Sequence, residues 1–372
     1  MINKIMILGS VLMTFPLLNS QTIDDLILPD GFHASIFADN LNSPRQITET
    51  HKGRIIVGSK QGDKIYALED IDNDGFAENR YLIAEDLENP TGVTVHKGNL
   101  YFSEIDKVWF IENIDTLIDN NIDSPEKKLY LADLPYETWH GFKYIKFGPD
   151  DNLYIPVGVP CNICLEPQTK DKRFAAIHKY KDGNLITVAD GVRNSVGFDW
   201  HPILGKLYFT DNGRDWLGDN SPSCELNMVD EEGSFFGYPY KHAKNVIDPD
   251  FGKLIKDIDK KFIDPIAELG PHVAPLGMTF YDNDKFPEKY RNSIFIALHG
   301  SWNKYNGKSG YKIIFIKLDE EGNFISQEDF ITGWLIEENA WGRPVDPFVT
   351  SDGSMLISDD KHDVIYKIEY KD

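Results

Sequence analysis

Six times along this chain a short apolar strand, a turn and a second alternating strand recur. That repeat constrains the fold more than any other feature. The second strands read Arg54-Ile-Ile-Val-Gly, Asn99-Leu-Tyr-Phe, Asn152-Leu-Tyr-Ile, Lys206-Leu-Tyr-Phe-Thr, Ser293-Ile-Phe-Ile-Ala and Ser354-Met-Leu-Ile-Ser. Each follows a turn of the kind that ends one strand and starts the next. The units begin near Pro44, Pro90, Gly141, Asn194, Pro275 and Pro344, and the first three intervals are 46, 51 and 53 residues, a spacing expected of propeller blades. The next two stretch to 81 and 69 residues, so blades four and five carry insertions, near 215–270 and 303–340. Third strands follow, such as Asp63-Lys-Ile-Tyr-Ala-Leu and Tyr311-Lys-Ile-Ile-Phe-Ile-Lys-Leu, and no long helical period competes. His33-Ala-Ser-Ile-Phe-Ala precedes the first unit and can pair with Val364-Ile-Tyr-Lys-Ile, which closes a ring and removes open sheet edges. The expected fold is all-β, a six-bladed β-propeller over residues 21–372 whose N-terminal strand closes the last blade. A pair of β-sandwiches would not explain six similar hairpins.

The charge balance narrows the partners. With 38 Lys+Arg against 60 Asp+Glu the net charge is −22, which argues against nucleic acid and against an anionic membrane surface. Residues 1–20 are of another kind. Lys4 precedes an apolar run from Ile5 to Leu18, then Asn19-Ser20-Gln21 offers a small residue at a cleavage point. This reads as a secretory signal, with a buried or amphipathic first helix as the alternative. No later run reaches the roughly 18 apolar residues of a spanning helix. The mature protein is therefore expected to be periplasmic or secreted, with no membrane insertion. Cys161-Asn-Ile-Cys164 is followed by Leu165, so it is not a haem attachment motif, and in an exported chain a local disulfide is expected; two free thiols in a tight loop are the alternative. Asp70-Ile-Asp72-Asn-Asp74-Gly75 is half of a calcium-loop signature, but its twelfth position is Tyr81, so a solvated acidic turn is expected.

The repeat also places a site. In a propeller the inner strand of each blade starts, and the second strand ends, on the same face of the channel. The six starts read Pro44-Arg45, Pro90-Thr91, Trp139-His140-Gly141, Arg193-Asn194, His272-Val-Ala-Pro275 and Arg343-Pro344. Three arginines and two histidines thus converge in a strongly acidic protein. A surface salt bridge is the common fate of a single Arg, but three at equivalent positions point to an anionic ligand with several carboxylates or phosphates. The six second-strand ends include Ser59-Lys60, Ser103-Glu104, Gly158-Val-Pro-Cys161, Asp211-Asn-Gly-Arg214, His299-Gly-Ser-Trp302-Asn303 and Asp359-Asp360-Lys361. Their bent backbone offers carbonyl oxygens of the kind that Ca²⁺ takes. Trp302 either stacks on a flat ring or fills the mouth.

These residues carry a resemblance. Gly191-Val-Arg-Asn-Ser-Val-Gly-Phe-Asp-Trp-His-Pro, Thr210-Asp-Asn-Gly-Arg-Asp-Trp-Leu-Gly-Asp, Glu225-Leu-Asn227, His272-Val-Ala-Pro-Leu-Gly-Met-Thr-Phe-Tyr281, His299-Gly-Ser-Trp-Asn303 and Gly342-Arg-Pro-Val-Asp346 resemble the glucose/sorbosone dehydrogenases. The similarity is strongest to the L-sorbosone and pyranose dehydrogenase branch. It implies a six-bladed propeller holding pyrroloquinoline quinone (PQQ) and Ca²⁺ at its mouth. It further implies that His140 is the general base, that Arg193 and Asn194 lie near the quinone oxygens, and that Arg45 and Arg343 bind its carboxylates. Asn212, His299 and Trp302 would also contact the cofactor, and the carbonyls of Gly213 and Arg214 would hold the metal. Cys224 departs from the acidic residue that relatives commonly show before Glu225, and Asn212 stands where some relatives have Gln.

The expected function is oxidation of a sugar, an aldose, pyranose or sorbosone-like aldehyde, by hydride transfer to PQQ. A periplasmic cytochrome or quinone would accept the electrons. A Ca²⁺-dependent lactonase-like hydrolase is the alternative, and would want acidic and Asn side chains on a central ion. A non-catalytic binding propeller would need no converging Arg-His set.

Overall fold

The computed structural model describes residues 21–371, so the expected signal over residues 1–20 lies outside the described residues. Period-two alternation builds the molecule, because each second strand is buried on both of its faces. In blade 1, Ile55 and Val57 pack with Leu356 and Ile365 of blade 6, while Ile56 packs with Val93 and Leu100 of blade 2. In blade 6, Met355 and Ile357 turn towards Phe295 and Ile313 of blade 5. Six such clusters fill the six interfaces between neighbouring blades. The apolar residues therefore read as near-continuous runs, and each sheet acts as a wedge between two others.

The chain forms six blades around one axis, a six-bladed β-propeller; each has four antiparallel strands, and blade 3 gains a fifth, parallel strand, Ser234–Phe235, from the long connection of blade 4. Their inner strands are Pro44–Glu49, Val93–His96, Lys146–Phe147, Phe198–Trp200, Pro275–Tyr281 and Pro344–Val349. Blade 6 is completed by the N-terminal strand Phe32–Ala38, which pairs with Val364–Tyr370 from Phe32↔Tyr370 onwards. The long connections of blades 4 and 5 carry two extra hairpins, Lys241–His242 with Val246–Ile247 and Leu335–Ile336 with Asn339–Ala340. Among the described residues, no helix is long and apolar enough to cross a membrane.

The inner strands of blades 2, 3 and 4 start three to five residues later than the repeat predicts. Side chains have taken over the ladder there. The Arg193 and Asn194 amides donate to the Asp211 carboxylate at 2.9 and 2.7 Å, and those of Val93 and Ile145 donate to Gln46 Oε1 at 3.1 and 3.0 Å. Blades 1, 5 and 6 share another device. Their inner strands pair at Pro44, Pro275 and Pro344, then shift register before Ile47, Met278 and Pro347. Such bulges re-aim side chains at sheet edges. In blades 1 and 6 they aim Gln46 towards blades 2 and 3 and Asp346 towards neighbouring blade 1, where Asp346 Oδ2 accepts the Ile47 amide at 2.8 Å.

Cys161 and Cys164 form a disulfide, and Cys224 is a buried free thiol. On the Asp70 turn, ligand atoms of Asp70, Asp72, Asp74 and Glu78 lie within 4.8 Å of one another; three of the four residues are exposed.

Ring closure has a measurable consequence. The closing segment buries Leu26, Phe32, Phe37 and Ala38. Losing three large apolar side chains from the interior costs on the order of 5 kcal/mol or more. Removing residues 21–40 should therefore lower the thermal unfolding midpoint of the whole protein steeply, and an unchanged midpoint would show that closure contributes nothing.

Candidate functional site

Strand ends meet around the channel mouth and enclose a cavity of about 340 Å³. That is within the usual range of small-molecule pockets. Arg45, His140, Arg193, Asn194, Asn212, Gly213, Arg214, His299, Trp302 and Arg343 all line it, together with Lys60, Asp215, Cys224 and His272.

His140 stands on the segment leading into the inner strand of blade 3. Gly158 faces it, and a Cβ added there would meet the His140 Cβ at 2.6 Å, so only glycine allows this approach. His140 Nδ1 lies 2.8 Å from the Val159 carbonyl oxygen. A carbonyl can only accept, so Nδ1 carries the hydrogen and Nε2 keeps its lone pair. No hydrogen bond among the described residues engages Nε2. Burial, and then the Arg193 charge, push the imidazole pKa down to about 3. The ring is thus held neutral, in one tautomer, with a basic nitrogen free.

The cations differ sharply in how far they are already committed. Arg193 donates to Asn162 O and Oδ1 and to Asn212 O, and pairs with Asp215 at 3.2 Å. Arg214 pairs with Asp248 and Asp250, and its Nε is buried without a partner. Arg45 pairs with Asp360 at 2.7 Å. Arg343 is unlike these. It donates Nε and Nη2 to the carbonyls of His299 and Gly300, at 3.0 and 2.6 Å, and lies over the Tyr311 ring. Among the described residues it ion-pairs with no carboxylate. Burial holds its pKa below the usual guanidinium value, and burial and the neighbouring Arg45 do the same to the Lys60 ammonium.

Other expected contacts sort in the same way. The Asn194 side chain makes no hydrogen bond among the described residues, whereas Asn212 Nδ2 is spent on the Asn194 and Pro275 carbonyls, both at 3.0 Å. Trp302 is 62% exposed and meets the Trp216 ring edge-on at 5.6 Å. His272 donates Nε2–H to the Gly218 carbonyl. No hydrogen bond among the described residues engages the carbonyls of Gly213 or Arg214. Burial raises the Cys224 thiol to about 11, so it stays neutral and is a poor metal ligand.

The arrangement fits the group that the resemblance implies. An anion with several carboxylates meets Arg343, which has no carboxylate partner among the described residues, Lys60, whose Nζ stands 3.7 Å from Asp360 Oδ2, and an orphaned Arg214 Nε–H. A hard cation meets two uncommitted carbonyls at Gly213 and Arg214. Asn162, Asp215, Asp248 and Asp360, which organise the arginines, have no part in the pattern of strand starts. Asp360 does stand among the second-strand ends and Asp215 within the Thr210–Asp219 motif, but nothing in either place marks it as the partner of a particular arginine.

A family model described as a domain of unknown function, DUF7133, matches residues 57–370. The chain belongs to the DUF7133 family. An uncharacterised protein of Borreliella burgdorferi is 36% identical over 359 residues, covering 93% of this chain and 91% of that protein. Several solved structures share the fold. A calcium structure of a family AA12 carbohydrate-active enzyme from Trichoderma reesei has a TM-score of 0.77 at 19% identity, over 95% of this chain and 98% of that one. The holo PQQ domain of pyranose dehydrogenase from Coprinopsis cinerea has a TM-score of 0.76 at 18% identity, over 94% and 98%. The PQQ-bound aldose sugar dehydrogenase of Streptomyces coelicolor follows with a TM-score of 0.63 at 16% identity, over 92% and 99%. At these identities the likeness establishes the propeller fold.

Proposed function

We propose that this DUF7133 protein is an exported quinoprotein that oxidises a sugar, with PQQ and Ca²⁺ at the propeller mouth. The observation that carries the reading is His140. Its Nδ1–H is tied to the Val159 carbonyl and its Nε2 is free, inside a cavity ringed by cations. Among the similar propellers are a calcium structure, a holo PQQ domain and a PQQ-bound enzyme, which supports the same assignment.

When bound, PQQ supplies a quinone that accepts hydride, and Ca²⁺ supplies Lewis acidity beside it. The protein's part is positioning and proton transfer. His140 Nε2 takes the proton of the sugar hydroxyl as its C–H hydride leaves, and the fixed tautomer keeps that nitrogen unprotonated beforehand. Arg343 and Lys60 hold carboxylates, the first with a planar fork and the second as a point charge. Gly213 and Arg214 offer carbonyls to the cation, and the Asn194 amide is available to a quinone oxygen. The exposed indoles of Trp302 and Trp216 leave one flank of the mouth apolar, which suits the C–H face of a pyranose. Export rests on the apolar run before Gln21, and the electron acceptor is taken to be a periplasmic cytochrome or quinone.

The test is reconstitution. Purified apoprotein given PQQ and Ca²⁺ should show a bound-quinone absorption spectrum that bleaches on adding an aldose. No spectral change with PQQ, in protein shown to be folded, would remove the reading.

A further inference from the structure

The geometry points to Asp360 as the residue that positions one side of the mouth, fixing His299, Arg45 and Lys60 from behind. Asp360 directly follows the second strand of blade 6, Met355–Asp359. Its side chain is 5% exposed and does not line the cavity, whereas all three partners do. Oδ2 takes Arg45 Nη1 at 2.7 Å, with Lys60 Nζ at 3.7 Å from the same oxygen, and Oδ1 takes His299 Nε2 at 2.7 Å. Arg45 and Lys60 come from blade 1 and His299 from blade 5. One carboxylate therefore ties three consecutive blades at the seam where the ring closes.

Two consequences follow for the cavity. A carboxylate only accepts, so His299 donates Nε2–H and turns Nδ1 into its sole free ring nitrogen. That tautomer is the opposite of the one held at His140. Asp360 also holds Arg45 and Lys60 on one side of the mouth, while Arg343 beside them pairs with no carboxylate among the described residues. The cationic wall then has a fixed shape and not merely a charge. This role rests on the proposed anion site for its functional meaning, but its geometry can be tested without it.

The charge change makes the test decisive. Asp360→Asn adds one unit of net positive charge to the wall. If Asp360 were only an opposing charge, the variant should bind anions more tightly. If it positions the wall, binding should weaken, because Asn has one acceptor oxygen and cannot serve both His299 and Arg45. PQQ titrated into folded apoprotein, followed by quenching of tryptophan fluorescence, should bind Asp360→Asn about tenfold or more weakly than wild type. Asp360→Glu should recover part of the loss. Equal or tighter binding by Asp360→Asn overturns the assignment. A second measurement needs neither variant nor cofactor. ¹⁵N NMR of histidine-labelled wild type should show His299 neutral with hydrogen on Nε2 between pH 5 and 8, since burial lowers its pKa to about 4. Hydrogen on Nδ1 overturns the assignment even if Asp360→Asn does not fold. PQQ that fails to bind wild type counts against the proposed function alone.

Discussion

His140→Ala should retain PQQ but lose about 10²–10⁴ in kcat, the usual worth of a positioned base. The structure adds a pH signature. A base must be neutral to work, and a depressed pKa extends the neutral range downwards. With the imidazole held near 3 by burial and Arg193, activity in the free enzyme should not fall through an ordinary histidine limb at about 6.5. The acid limb of kcat/KM should appear only below about pH 5. Full activity of His140→Ala with PQQ bound would remove this residue from the mechanism. A limb near 6.5 in kcat/KM would show that a different group is titrating.

Arg343→Ala and Arg45→Ala should fail in different ways. Repeat position alone makes the two equivalent, but their surroundings separate them. Arg343 is bonded to backbone carbonyls and has no carboxylate of its own among the described residues. Removing it should weaken PQQ binding by about 10–150-fold, from roughly 1.5–3 kcal/mol for charge-assisted contacts, while the fold survives. Lysine at that place should recover only part, because a point charge lacks the planar fork. Arg45 is the buried partner of Asp360. Its loss leaves that buried carboxylate, among the described residues, with only His299 Nε2–H and the more distant Lys60, and breaking a buried pair costs up to about 3–5 kcal/mol. Arg45→Ala should therefore lower the unfolding midpoint clearly, and Arg343→Ala much less. Thermal unfolding of the two apo variants, followed by PQQ titration of whichever remains folded, checks both statements. Equal destabilisation would mean that the ion pairs at the mouth do not divide the arginines as described.

The blade organisation is legible in the amino-acid sequence alone. Apolar runs must be continuous where a sheet is covered on both faces, and a ring of wedges repeats that need in every blade. Ile55-Ile56-Val57 and Met355-Leu356-Ile357 carry the pattern openly, and His33 to Ala38 can be matched to the last strand by the same rule. The mouth residues are legible for a related reason. Equivalent positions in a closed repeat face one axis, so Arg45, Arg193 and Arg343 have to come near one another whatever their loops do. Tertiary structure alone decided what each of them is free to do. Asp360 reaches Arg45 across 315 positions of sequence, and Asp215 and Asn162 take Arg193 from two different blades. Charge pairing depends on side-chain ends a few ångströms apart, and spacing along the chain carries no record of those distances. The same holds for the histidines. Their positions put His140 and His299 at the mouth, the first as the expected base and the second as a cofactor contact, but the Val159 carbonyl and the Asp360 carboxylate choose which nitrogen of each keeps its lone pair.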